Sequence, residues 1–409
     1  MKQSFILLSI GLLLFPGCQS DKVLIPDTIK SPSELSEALF NIYSNTEVTG
    51  FTVSIVKSDE ILYQESFGMA DTEHNLPYSI QSTQPIGSIS KTFVAASLVK
   101  AIEQGYFTLE TDINTILPFE LINPNHPGDT IRIKHLVTHT SGLLDNLESY
   151  FHAYYLLPNQ NLNTPGAAIM MNDFGFIQRP GVSLDNLIYN YYSSNGTNYN
   201  TSNFSAFPVG SNWNYSNFAT SLTAYIIETA TQTPFKEYVA TQVFQPLGMN
   251  DTAYDIADLS LVDRATLYWE KGVAFPNYAN DSYPDGSVNT CNTDLTKYLM
   301  DLMKGIRGES TTLFSTQGYQ MLFDPQLGTG IVPSQIGDNQ GVFWFLKDDQ
   351  IKHDGSDPGT TCHLQFDQSG ETGFLLLTNM DASTDEHEEE WNKLFSNVIT
   401  AIAKFLQSN

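Results

Sequence analysis

The 409-residue chain is 41% hydrophobic and 12% aromatic, enough apolar material for a core, which excludes disorder throughout. Acidic residues outnumber basic ones by 45 to 19, and the net charge of −26 repels phosphate backbones, arguing against a nucleic-acid partner. Cutting before Cys18 leaves 409 − 17 = 392 residues, two or three domains' worth at ~150 each or one domain with a large insertion.

Met1-Lys2 begins a short basic region and residues 5–15 are almost wholly apolar, the pattern of a secretory signal peptide over residues 1–17. It runs into Phe15-Pro16-Gly17-Cys18, which resembles a bacterial lipobox, although Phe15 stands where Leu is usual and Pro16 where a small residue is. The match implies lipidation of Cys18. That modification adds several acyl chains, so it would hold the protein firmly to a membrane of the bacterial cell envelope, on the periplasmic side or in the outer membrane. An ordinary signal peptide with a chance cysteine is the plainer alternative. No later apolar run approaches the ~18 residues a spanning helix needs.

Residues 18–31 read as a polar tether. Ser31-Pro32-Ser33-Glu34 then opens a helix whose apolar stripe is Leu35, Ala38, Leu39 and Ile42. Residues 51–56 alternate with period two and residues 60–63 follow after a Lys-Ser-Asp turn, predicting two strands. The middle, roughly 73–320, reads mainly as helices and loops, with the clearest helices at 218–229 and 294–305 and another opened by Ser88 that stops at Gly105. Within it, 145–210 is dense in Tyr, Asn, Ser and Gly, as either a cleft wall or a loose surface excursion. Strand-like runs return at 341–346, 360–366 and 372–378, before a closing helix carrying Trp391, Leu394, Phe395, Val398, Ile402 and Phe405. The expected fold is therefore α/β of the α+β kind. One antiparallel sheet is completed by both ends of the chain (32–72 and 321–409) and flanked by the N- and C-terminal helices, with an all-α domain inserted over 73–320. Cys291 and Cys362 fit a disulfide or two buried thiols equally well, and neither lies in a CxxC pair.

On a helix, residues three apart are neighbours, so the amine of a Ser-x-x-Lys pair can take the serine proton. The pattern occurs three times: Ser54-Lys57, Ser88-Lys91 and Ser97-Lys100. Ser54 lies in a period-two strand, where such positions face opposite ways. Ser97 is about 180° round the same helix from Ser88, so the two cannot share a site. Residues 92–99 carry no charge, which buries the helix that Ser88 opens and surrounds Lys91 with protein. Taken alone, an N-cap serine and a snorkelling lysine explain that pair as well. Tyr-x-Asn also occurs three times, and only Tyr215-Ser216-Asn217 lies between a Pro-Val-Gly turn with Trp213 and an apolar helix; Tyr43-Asn45 and Tyr278-Asn280 lie at a helix end and in a turn-rich loop. His-x-Gly occurs once, as His353-Asp354-Gly355.

Five segments in order now carry a resemblance. Ile86-Gly87-Ser88-Ile89-Ser90-Lys91-Thr92-Phe93, His135-Leu136-Val137-Thr138-His139-Thr140-Ser141-Gly142-Leu143, Trp213-Asn214-Tyr215-Ser216-Asn217, Pro246-Leu247-Gly248-Met249 and His353-Asp354-Gly355 resemble the serine β-lactamase and penicillin-binding-protein superfamily. The branch is the class C-like one, with its DD-carboxypeptidases, D-aminopeptidases and esterases, and the likeness covers roughly residues 32–406. Each motif is weak alone, and the five together in order are specific. The family fold matches the organisation above. The resemblance implies Ser88 as nucleophile, Lys91 and Tyr215 as the proton-transfer pair and Asn217 as a substrate-orienting amide. It also implies an oxyanion hole from the N–H groups of Ser88 and Ser356, with His353 and Gly355 beside the substrate. Bringing a lysine from ~10.4 to half neutrality at pH 7 costs about 4.6 kcal/mol, and a helix N-terminus supplies about 0.3–2 kcal/mol of that. Either desolvation or a neighbouring charge adds the rest for Lys91, or Tyr215 takes the proton.

The β-lactamases usually carry Lys-Thr/Ser-Gly at the third motif. Here His353 replaces that lysine with a weaker cation, and Asp354 adds a negative charge that disfavours anionic substrates if it faces the cleft and says nothing if it faces away. The implied activity is a serine hydrolase working through an acyl-enzyme on small esters or amides, either D-aminoacyl peptide or peptidoglycan fragments or carboxylic esters. A class C-type β-lactamase is the second reading, and a non-catalytic module sensing cell-wall fragments is the rival of another class. No cofactor or metal is expected: His135 and His139 are four apart but no HExxH accompanies them, and no Gly-x-Ser-x-Gly is present. The expected partners are a small-molecule or peptide substrate and the membrane.

Overall fold

The computed structural model describes residues 23–260 and 263–409. Cys18 and the expected signal segment lie outside these residues. Eight strands form one antiparallel sheet. The first three are β1 (Gly50–Lys57), β2 (Glu60–Asp71) and β3 (Leu76–Pro77). The others come from the far end of the chain: β4 (Asn339–Gln340), β5 (Phe345–Lys347), β6 (Gln350–Asp357), β7 (Thr360–Asp367) and β8 (Thr372–Thr378). Their order is β4-β5-β6-β7-β8-β1-β2-β3, so β1 and β8 join the two ends of the chain, with Val53 opposite Leu376 and Ile55 opposite Phe374.

Alternation gives each strand two apolar faces. Val53, Ile55, Phe374 and Leu376 pack outward onto helix α1 (Pro32–Ser44) and the C-terminal helix, through Leu35, Leu39, Leu394, Val398 and Ile402. Cys362, Leu364, Phe366, Leu375 and Leu377 point inward, into a larger core built with α2 (Ser90–Glu103), α3 (Asn217–Thr231) and α4 (Asn292–Ile306). Each fully buried Leu or Phe contributes about 1.5–3 kcal/mol. α2 is the central element: Phe93 to Val99 are fully buried, and Gly105 ends it at φ +83, as a glycine beyond the last turn does. The C-terminal helix, α5 (Asp385–Leu406), closes the outer face. No helix among the described residues is long and apolar enough to cross a membrane. Cys291 and Cys362 are separate, buried free thiols.

One expectation needs correction. Residues 341–346 are not one strand: Phe343 takes φ +58 and turns the chain, because Val342, Phe343 and Trp344 are all drawn into the helical core, leaving only Phe345–Lys347 paired. The polar stretch around His353 is a full eight-residue strand, paired along its length with β7 and over three residues with β5. The 145–210 stretch is ordered into short helices at Leu147–Ala153, Pro165–Asn172 and Leu184–Tyr192, with Tyr154 and Tyr191 buried.

Candidate active site

A 3-10 turn, Gly87–Ile89, leads into α2 and leaves Ser88 half-buried at its mouth. One turn on, Lys91 is wholly buried, and its Nζ donates to Ser88 Oγ at 3.0 Å and to the backbone carbonyl of Asp285 at 2.7 Å. The strap that carries Asp285 is tied to the same turn. Ile86 N–H donates to the Val288 carbonyl at 3.0 Å, and Val288 N–H donates to Ser90 Oγ at 3.0 Å. Lys91 is thus fixed from two sides and does not snorkel.

Tyr215 arrives just ahead of α3. Its hydroxyl is buried without a hydrogen bond of ordinary geometry among the described residues, and Lys91 Nζ lies 5.0 Å from its ring centre. Burial raises the phenol above its ordinary pKa, while the charge of Lys91 and the nearby Ser88 hydroxyl oppose that rise. The His139 ring packs 4.5 Å from Tyr215, and His139 Nδ1 accepts the Ser216 N–H at 3.3 Å. Ser216 caps α3, its Oγ accepting the Ala219 N–H at 3.0 Å. The Asp145 carboxylate completes the cap, accepting from Ser216 Oγ at 2.8 Å, Asn217 N–H at 2.7 Å and Phe218 N–H at 3.1 Å. Asn217 is therefore the first residue of α3, with its half-buried amide group free of hydrogen bonds to protein among the described residues.

β6 supplies the third wall. Beyond its short pairing with β5, residues 353–357 lie directly against the Gly87–Ile89 turn. A Cβ on Gly355 would stand 2.0 Å from the Ile86 carbonyl oxygen, and one on Gly87, at φ +51, would stand 2.5 Å from Ser356 N. Backbone meets backbone there, so both positions require glycine. The contact brings the main chain of Ser356 beside that of Ser88.

Register sorts the rest of β6. His353 pairs with Leu364 and Gly355 with Cys362 on the inner face, whereas Asp354 pairs with His363 on the outer one. The Asp354 carboxylate hydrogen-bonds His363 Nδ1 and lies 4.0 Å from Lys352 Nζ, so it faces away from the cleft and says nothing about substrate charge. His353 is wholly buried, with Nδ1 donating to the Asp354 backbone carbonyl at 2.7 Å and Nε2 unpartnered. Burial, with the charge of Lys91, holds its pKa down to about 4.

The competing motifs resolve as scaffold. Ser54 Oγ bonds Asn292 Oδ1 at 2.5 Å, and Lys100 Nζ donates to the Leu313 carbonyl. The hydroxyls of Tyr43 and Tyr278 donate to the carbonyls of Thr49 and Pro358 at 3.4 and 2.9 Å. His135 and His139 are engaged separately, His135 Nδ1 accepting the Arg132 N–H at 3.0 Å. Asp251, Cys291 and Asp294 do lie close enough together to hold a metal ion, but Asp294 there already accepts from Lys297 at 2.7 Å.

Sequence reasoning did not assign His139, Asp145, Tyr150, Tyr154, Asp285 or Asp357 to the site. His139 lies within a quoted motif and takes φ +55, a conformation histidine adopts more readily than most residues. The other five come from segments far apart in the chain, residues 145–154, the turn at Asp285 and the end of β6, and carry no local signal. Tyr150 and Tyr154 reach in from the 145–210 stretch, Tyr150 donating to Asp285 Oδ1 at 3.2 Å and Tyr154 to Asp357 Oδ1 at 2.6 Å.

Comparison with known proteins agrees with this architecture. The chain is 26% identical over 369 residues to penicillin-binding protein 4* of Bacillus subtilis, covering 85% of this chain and 72% of that one. It is 27% identical over 217 residues to the esterase EstB of Burkholderia gladioli, covering 52% of this chain and 48% of the esterase. The structure of an octameric penicillin-binding protein homologue from Pyrococcus abyssi superposes with a TM-score of 0.69 at 20% identity, over 90% of this chain and 77% of that one. Residues 37–397 match the Beta-lactamase family, and the chain belongs to it.

Proposed function

We propose that this protein is a serine hydrolase that acts through an acyl-Ser88 intermediate on small esters or amides. The observation that carries the proposal is the 3.0 Å contact between Lys91 Nζ and Ser88 Oγ at the mouth of a buried helix, beside the buried Tyr215 hydroxyl. Family membership and the penicillin-binding and esterase relatives support the same class of chemistry. Ser88 Oγ attacks the acyl carbon and its proton passes to the Lys91–Tyr215 pair. That pair returns a proton to the departing amine or alcohol, and water then cleaves the Ser88 ester and restores the hydroxyl. The main-chain N–H groups of Ser88 and Ser356 stabilise the oxyanion, each worth about 2.7–4 kcal/mol in such sites. Asn217 orients the substrate through its free amide, and His353 and Gly355 line the floor.

Peptidase or esterase action ranks ahead of β-lactamase action, because buried His353 stands uncharged where a β-lactam carboxylate would meet a cation. Export and anchoring through Cys18 would place the activity in the bacterial cell envelope. The test uses p-nitrophenyl butyrate, a chromogenic cephalosporin and a fluorophosphonate label. Wild type should hydrolyse the ester, turn over the cephalosporin poorly and take the label, while Ser88→Ala should lose both hydrolysis and labelling. Labelling that persists without Ser88 removes the assignment, and absence of any labelling favours a non-catalytic binding module. Rapid cephalosporin turnover reverses the substrate ranking.

A further inference from the structure

Asp357 follows Ser356 directly and pairs with Thr360 on the face of β6 that also carries His353 and Gly355. It is half-buried. Its Oδ1 accepts the Tyr154 hydroxyl at 2.6 Å, and its Oδ2, 3.0 Å from where a Cβ of Gly286 would stand, has no hydrogen-bond partner among the described residues. Tyr154 in turn touches the Tyr150 hydroxyl at 3.1 Å, and Tyr150 reaches the carboxylate of Asp285, whose carbonyl holds Lys91. Four oxygens thus make three successive contacts, yet the two phenols bring only two protons. The third contact is a hydrogen bond only when one carboxyl keeps a proton.

The charge balance of the cleft follows. His139 and His353 are neutral through burial, and Lys91 is the basic side chain that acts on both Asp285 and Asp357. With Lys91 set against one carboxylate, the second, which has an unused oxygen, can ionise fully only when another positive charge enters the cleft.

We propose that Asp357 is the specificity-determining carboxylate of this cleft and that the preferred substrates carry an ammonium or quaternary ammonium group close to the scissile acyl bond. The proposal rests on the hydrolase reading above. Burial raises Asp357 to about 7 and Asp285 to about 6, so an arriving cation completes the ionisation of a site that otherwise retains a proton. The charged or titratable groups around Asp357 are Lys91, Tyr150, Tyr154, Tyr278, Asp285, Cys362 and Asp381, and Lys91 is the only basic side chain among those seven.

The test compares acetylthiocholine with its uncharged isostere, S-(3,3-dimethylbutyl) thioacetate, by thiol release. The ratio of kcat/KM for the cation to that for the isostere should be about tenfold at pH 8. It should fall as the pH is lowered from 8 to 6, collapse toward unity in Asp357→Asn, and persist in Asp357→Glu. A ratio at or below unity in wild type, or one that Asp357→Asn leaves unchanged, overturns the proposal while Ser88-dependent hydrolysis of both esters leaves the hydrolase reading standing. Should Asp357→Asn fail to fold, the pH dependence of the wild-type ratio decides. Failure to hydrolyse either ester, with no labelling of Ser88, removes the hydrolase reading and this proposal with it.

Discussion

Near Lys91 lies a histidine that stays uncharged at neutral pH, and its burial has a cost that appears only in acid. His353 titrates at about 4 in the folded protein, against about 6.5 for an ordinary histidine. As the pH falls from about 6.5 toward 4, the unfolded chain takes up a proton that the folded one refuses, so stability falls with pH across that window. Asp285 and Asp357 act in the opposite sense, because their raised pKa values make ionisation in the folded state unfavourable as the pH climbs toward 7. Comparing variants separates the contributions. Between pH 7 and pH 5, wild type should lose more stability in urea unfolding than His353→Gln does, and equal losses would show that this residue carries none of the acid sensitivity.

Among elements, α3 has the most dependent geometry, since its first turn both begins a buried helix and places Tyr215. Asp145 holds that turn through three hydrogen bonds. Asp145→Ala should lower stability by about 1–3 kcal/mol, and reduce kcat more than it raises KM, because the phenol moves while the main chain of β6 stays. Unchanged thermal unfolding in that variant would mean water replaces the carboxylate. Helices α2 and α3 were legible in the sequence, to within a residue or two at their ends, because an uncharged run and an apolar run declare them locally. β6 was not. Lys352, Asp354, Ser356 and two flanking Asp and Gly positions have little intrinsic strand preference, and pairing with β7 imposes the extended form. The run at 341–346 failed for the converse reason, as apolar residues suited to a strand were pulled into the helical core.

For the whole molecule, the order of five motifs revealed the family and brought Ser88, Lys91, Tyr215 and His353 into one cleft, although no pair among the last three is adjacent in sequence. What the order cannot express is side: whether Asp354 or Asp357 faces the cleft depends on the parity of one strand and was settled only by its partner. The surface bears the same imprint as the composition. A net charge of −26 repels itself, and the ion pairs that oppose it, such as Lys134–Glu110 and Lys236–Asp255, are exposed and individually weak. Raising NaCl from low salt to about 0.2 M should therefore raise Tm at pH 8, and a fall would mean that attractive surface pairs outweigh the repulsion.

The seam between β1 and β8 also sets a schedule. A growing chain exposes Ser88 long before the strand that packs against its turn has been synthesised, and β1 waits unpaired on one edge until β8 arrives. The walls of the cleft therefore come together late, when a segment from far downstream closes on the Ser88 turn.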